Sequence, residues 1–246
     1  MKRKSSEIIS RMSTIAFLSA LGFILMAYAR IAYPFAPFLQ IEFSDTVILI
    51  GYALYGFGGG LSVAIIKTCL DLLVHGLSGI YGIGNITALF ASLIYVLGLF
   101  LTSHVMKLFK KGFKFRLVAY LLIVLIVATI LTLVNYIFVT PTYMAGEFTT
   151  CFNSEVVESV KKSYAQFGGT YFGIIFTLYF PFNLIKGAGV CFIYEILFNR
   201  IIFVLMQKSP LMKKYFIGPV FKKEKEEEKE ISTQEAEDIL FNNKDE

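Results

Sequence analysis

A chain of 246 residues that is 56% hydrophobic and only 17% charged, with a mean hydropathy of +0.67, carries more apolar side chain than a water-soluble core needs. A soluble globular domain is excluded, and an all-α integral membrane protein built as one compact bundle is expected. The formal charge of +5 says little as a total, because its distribution along the chain is what sets orientation.

Lys2, Arg3 and Lys4 precede an apolar run in the manner of a signal peptide, but no small-residue cleavage site follows. Residues 12–29 are therefore read as an uncleaved first span. The next stretch, Tyr33-Pro-Phe-Ala-Pro-Phe-Leu-Gln40, is an aromatic loop stiffened by two prolines. It suits either a cover over the bundle mouth or an aromatic anchor at the membrane interface. Ser44 and Asp45 then suit the start of a helix, as a cap and as a carboxylate favoured by the helix dipole. Apolar segments at 45–57 and 59–75 are short for spans of about 20 residues, with Gly56-Phe-Gly-Gly-Gly60 as the tight turn between them. A re-entrant hairpin there would return the chain to the same side.

Lys67 and Asp71 stand four apart, so they can pair along one helix face or meet a ligand. His75-Gly-Leu-Ser-Gly79 has the serine spacing of intramembrane rhomboid proteases. That chemistry needs a serine at the start of a buried helix and a histidine on another helix, so this match is set aside. Asn85 opens the fourth span, 85–106, where a helix cap is the plain reading. The fifth span, 116–139, carries Asn135 beside Tyr136 near its outer end, and an amide there needs a helix or a ligand as partner. A long outer segment, 140–170, holds Cys151 and several charges. In the sixth span, 171–206, Pro181-Phe-Asn-Leu-Ile-Lys-Gly187 places an amide and an ammonium inside an apolar run. Asn183 and Lys186 share a helix face, and Pro181 stands where that helix begins or kinks. Polar groups at membrane depth line a cavity or a partner interface rather than face lipid.

With the amino terminus in the cytoplasm, Lys2, Arg3, Lys4, Arg11, Lys107, Lys110, Lys111, Lys114, Arg116, Arg200, Lys208, Lys213 and Lys214 all fall inside. Only Arg30, Lys161 and Lys162 fall outside, opposed by Glu42, Asp45, Glu147, Glu155 and Glu158. The asymmetry places both termini in the cytoplasm and gives a membrane domain over 1–209. Residues 210–246 form a charged cytoplasmic tail containing Lys222-Lys-Glu-Lys-Glu-Glu-Glu-Lys-Glu230, which suits a solvated or partly helical segment or a docking peptide. Cys69, Cys151 and Cys191 show neither metal nor disulfide spacing. No zinc-protease, Walker or paired-carboxylate motif is present, so no catalytic residue, metal or cofactor is assigned and the chain cannot use ATP by itself.

The ordered pieces Pro37-Phe-Leu-Gln-Ile-Glu-Phe-Ser-Asp45, Ile66-Lys67, Gly84-Asn85 and Pro181-Phe-Asn-Leu-Ile-Lys-Gly187 resemble the riboflavin-specific substrate-binding (S) component of energy-coupling factor (ECF) vitamin transporters. The resemblance covers roughly residues 12 to 206 and implies a six-transmembrane-helix bundle in a prokaryotic plasma membrane, with riboflavin held near the outer face. It implies Asn135, Asn183 and Lys186 as ligand contacts and Phe38 and Leu39 as apolar walls. Asp45, Lys67 and Asn85 would touch the ligand or organise the site. Ala16-Phe-Leu-Ser-Ala20, a small-x-x-x-small pattern on the first helix, would dock a transmembrane coupling subunit powered by two ABC-type ATPases. Besides riboflavin, that module and the lipid bilayer, no partner is expected, and nucleic acid is not among them. An S component for folate, thiamine or a pantothenate-like vitamin is the alternative, followed by a membrane enzyme or an assembly factor.

Overall fold

The computed structural model describes residues 2–105 and 113–202. Helix α1 (Lys2–Tyr28) leads into an antiparallel hairpin, β1 (Ile31–Tyr33) and β2 (Ala36–Ile41), followed by α2 (Ser44–Tyr55) and α3 (Phe57–His75). Helix α4 (Ile83–Val105) precedes α5 (Phe113–Val134), which runs on through a π-helical turn, Asn135–Val139, into α6 (Thr140–Ala145). Helix α7 (Ser154–Ser163) and the long α8 (Tyr171–Tyr194) complete the order, with a second π-helical stretch at Glu195–Ile202. Five of these helical stretches are long and apolar enough to cross a membrane: Ile8–Tyr28, Phe57–His75, Ile80–His104, Phe113–Ala145 and Tyr171–Phe198.

The hairpin departs from the all-α expectation. Pro34 bars a helix, and Ile31, Tyr33, Phe38 and Ile41 favour extended backbone, so the stiff loop pairs with itself in the register Ile31 to Ile41 and Ala32 to Gln40. Helix α2 is the other unusual element. At 12 residues it spans ~18 Å, short of a bilayer core, and every one of its residues is buried among its neighbours.

The turn after α2 is a single residue, not the expected five. Gly56 takes a φ of 74° and donates its N–H to the Tyr52 carbonyl, and α3 begins at Phe57. Gly59 and Gly60 serve close packing instead. A Cβ on Gly59 would stand 2.6 Å from the Gly51 carbonyl oxygen and 2.5 Å from Tyr55 Cβ, so only glycine lets α2 and α3 lie this near. Pro181 likewise does not start a helix: α8 begins at Tyr171 and runs through it.

One apolar cluster joins α1 to α5 and α8 around Ile48, Tyr52, Val63, Tyr95, Leu99, Ile123 and Tyr194. A smaller one packs the hairpin residues Tyr33 and Ala36 and the α7 residue Val160 onto Ile174, Ile175 and Leu178 of α8. The space between these two clusters is where the polar residues gather. Lys107, Lys110 and Lys111, and the expectations for the end of the sixth span and the tail 210–246, lie outside the described residues.

Candidate substrate-binding site

Strand β2 delivers Phe38, Leu39 and Gln40 to the rim of a cavity of about 500 Å³. Its walls are largely apolar: Val139, Met144, Ile174, Ile175, Leu178 and Phe182. Its polar lining comes from Arg30, Gln40, Glu42, Asp71, Asn85, Asn135, Asn183 and Lys186, with the phenols of Tyr143, Tyr164 and Tyr179. A cavity of this size, apolar with a few convergent polar groups, suits one small organic molecule.

Around Glu42 the buried charges balance. Lys186 Nζ donates to Glu42 Oε1 at 2.6 Å and lies 3.5 Å from Asp45 Oδ2. The other Asp45 oxygen, Oδ1, accepts from Ser92 Oγ at 2.6 Å and from Lys67 Nζ at 3.3 Å. Lys67, only 1% exposed, also donates to Ser44 Oγ at 2.7 Å and to Ser92 Oγ at 3.3 Å. The Ser44 N–H closes the set on Glu42 Oε2 at 2.8 Å. Two carboxylates thus meet two ammonium groups drawn from α2 and the loop before it, α3 and α8, and no net charge is left in a site that could not solvate one. Burial alone would raise the Glu42 pKa, but the ammonium groups of Lys186 and Lys67 outweigh it and hold the carboxyl well below its usual range.

A second cluster surrounds Asp71. Its Oδ2 accepts from Asn85 Nδ2 at 2.8 Å, and its Oδ1 lies 3.0 Å from His75 Nδ1 and 3.8 Å from Arg30 Nη2. Arg30 also reaches Gln40 Oε1 at 3.3 Å, tying the end of α1 to the hairpin. The expected pairing of Lys67 with Asp71 is not formed. Lys67 finds oxygen acceptors on α2 and α4, and Asp71 finds partners in Arg30 just after α1, in His75 on α3 and in Asn85 on α4, so each is better satisfied apart. Asn85 is no simple cap: its Oδ1 accepts the Ser78 N–H at 2.6 Å while its amide nitrogen holds Asp71.

Of the residues singled out in the sequence, Phe38, Leu39, Asn85, Asn135, Asn183 and Lys186 line this one cavity. Asp45 and Lys67 do not line it; they lie behind Lys186 and brace it. Ala16 and Ala20 face outward on α1. Asn135 sits in the π-helical turn and donates from Nδ2 to the Leu131 carbonyl at 2.8 Å. Asn183, 4% exposed, differs from every other polar residue here, since its Nδ2 is buried without a hydrogen-bond partner among the described residues. Sequence reasoning treated Glu42 and Arg30 only as outer charges and passed over Gln40. Read as a strand, the segment would have put Gln40 and Glu42 on one face through its period of two.

The fold matches a solved structure titled "Structure and mechanism of the S component of a bacterial ECF transporter", with a TM-score of 0.56 at 21% identity over 80% of this chain and 97% of that one. In sequence the chain is similar to the riboflavin transporter RibU of Staphylococcus aureus, 25% identical over 193 residues, which is 78% of this chain and 89% of the relative. It is also similar to the riboflavin transporter FmnP of Bacillus subtilis, 24% identical over 78% of this chain and 92% of that protein. The RibU of Streptococcus thermophilus is 29% identical over 72% of this chain and 75% of its own length. The family model described as "ECF transporter, substrate-specific component" matches residues 10–198, and the chain, a transporter component rather than an enzyme, belongs to that family.

Proposed function

We propose that the chain binds riboflavin from outside the cell and delivers it to an ATP-driven energy-coupling module. The observation that carries this reading is Asn183. Its amide N–H₂ is buried with no partner among the described residues, which costs free energy, and it lies on the same helix as Lys186 in a cavity with apolar walls. Riboflavin offers what such a site lacks: a planar ring for Phe38, Leu39 and the α8 aliphatics, and ring carbonyls that accept from Asn183, Asn135 and Lys186. Asn85, Asp45 and Lys67 organise these contacts.

The same reading makes α2 a sixth, protein-enclosed crossing and puts both termini in the cytoplasm, following the excess of inner Lys and Arg. Ala16 and Ala20 meet the transmembrane coupling subunit, to which two ABC-type ATPases supply the energy. Visible absorbance of the protein purified in mild detergent, followed by riboflavin titration, tests the ligand. Stoichiometric, saturable quenching of flavin fluorescence is expected. A folded protein that ignores riboflavin but is stabilised by folate, thiamine or pantothenate would overturn the flavin assignment and keep the transport role.

A further inference from the structure

Helices α5 and α8 are antiparallel and are cross-linked at two levels, which together form a ruler. At the inner level Arg116 Nη2 donates to Glu195 Oε1 at 2.7 Å, and at the outer level the Tyr171 hydroxyl donates to the Tyr136 carbonyl at 2.7 Å. From Arg116 to Tyr136 the helix climbs about 20 residues, or ~30 Å, the thickness of a bilayer's hydrocarbon core. Tyr136 and Tyr171 therefore mark the outer boundary.

The segment between α6 and α7 returns to that boundary for a covalent reason. Pro141 has no N–H, so the Ile137 carbonyl lacks its ordinary helical donor, and the Cys151 N–H takes it at 3.0 Å. That bond folds residues 147–153 back along the flank of α5. Phe148 stacks on the outward-facing Phe138, with ring centroids 6.1 Å apart, and Phe152 is 89% exposed. On α8, Phe172 lies 5.9 Å from Tyr136, at the same level, and stacks on Phe176, and both phenylalanines are exposed. Tyr and Trp are the rings enriched at the membrane–water interface, and an exposed Phe at the same level buries its apolar ring in the same head-group and acyl boundary. Of the charges nearby, the exposed Glu147 directly precedes Phe148, and Glu155, Glu158, Lys161 and Lys162 lie on α7.

We propose that Phe148 and Phe152 anchor the outer segment in the head-group boundary of the outer leaflet. Helix α7, whose Val160 lines the cavity beside Tyr164 and Phe38, thereby hangs from the bilayer surface. The occupant of this aromatic patch is lipid, because the patch continues the outward face of α5 at the level where hydrocarbon ends. The anchoring does not depend on which ligand fills the cavity.

The chain contains no Trp, so one introduced indole is a clean depth reporter. Full-length Phe152→Trp is reconstituted, ligand-free, in phosphatidylcholine vesicles brominated near the head-group end of the acyl chains. Ile126→Trp, exposed on α5 midway between Arg116 and Tyr136, serves as the deep reference and Glu158→Trp on α7 as the aqueous one. Phe152→Trp is expected to be quenched more strongly than Ile126→Trp by these shallow bromines, and to resist the aqueous iodide that quenches Glu158→Trp. Quenching by iodide without quenching by bromolipid would overturn the proposal. Shielding from both would also overturn it, in favour of a protein covering the patch. Phe148→Trp gives the same reading if the first variant does not fold.

Discussion

Lys186 and Asn183 lie on the same helix and line the same cavity, yet their removal should have different consequences. Lys186 is part of a neutral set, so Lys186→Ala leaves Glu42 and Asp45 facing Lys67 alone and should lower the unfolding temperature as well as the affinity. Asn183 Nδ2 bonds to nothing among the described residues, so Asn183→Ala relieves a desolvated donor and should leave stability unchanged or slightly raised. Both variants are expected to weaken riboflavin binding by ~10–100-fold, since hydrogen bonds to charged or buried groups contribute about 1.5–3 kcal/mol. Paired titrations and thermal unfolding in detergent measure the two effects separately; unchanged affinity in both folded variants would remove them from the site. Glu42 adds a pH dependence whose sign is fixed. Its carboxyl pKa is depressed in the folded protein, so its stabilisation is complete above the unfolded value of about 4.3 and is lost as pH falls below it. Thermal stability of the wild type should be level from neutral pH to about pH 5 and decline further into acid, and Glu42→Gln should flatten that decline.

At the scale of elements, the buried charges bind helices that share little sequence proximity. Lys67 joins α3 to α2 and α4, and Lys186 joins α8 to the loop before α2 across 144 positions of chain. Lys67→Met should therefore cost about 3–5 kcal/mol by leaving a carboxylate uncompensated, and the double variant Lys67→Met/Asp45→Asn should recover most of that. A double variant no more stable than Lys67→Met alone would mean that Lys67 acts through packing rather than charge. This long reach also separates what was legible in the sequence from what was not. Long apolar runs announce spans whatever surrounds them, and amides inside such runs announce a cavity, so Asn135, Asn183 and Lys186 could be found together. The partner of Lys186 could not, because nothing local distinguishes Glu42 from a solvated outer charge. Local spacing favoured Lys67 with Asp71, and tertiary satisfaction of both groups overrode it. The hairpin was hidden for a related reason: Pro34 and Pro37 argue against a helix, but a two-stranded pairing leaves only a weak pattern over so few residues.

For the whole molecule, the remaining question is how a binding bundle addresses a partner through lipid. Helix α1 buries Leu18, Ser19 and Met26 and leaves Ala16 and Ala20 on its outward face, beside the exposed Met12, Phe17 and Ile24. Small residues on that face therefore do not serve packing within the bundle, and lipid contact does not require them either. What they allow is the close approach of another helix, which in a membrane is driven by packing rather than by exclusion of water. Ala16→Leu/Ala20→Leu adds bulk where the isolated protein meets only lipid. Riboflavin affinity and the unfolding temperature of the purified variant should match the wild type, while uptake by cells carrying the complete transporter should fall to background. Loss of binding as well would place the two alanines in the bundle's own packing. Full uptake would move the docking surface to another helix. Binding kept and uptake lost would divide the molecule by function: the cavity between the two apolar clusters selects the ligand, and the outward stripe of α1 hands it on.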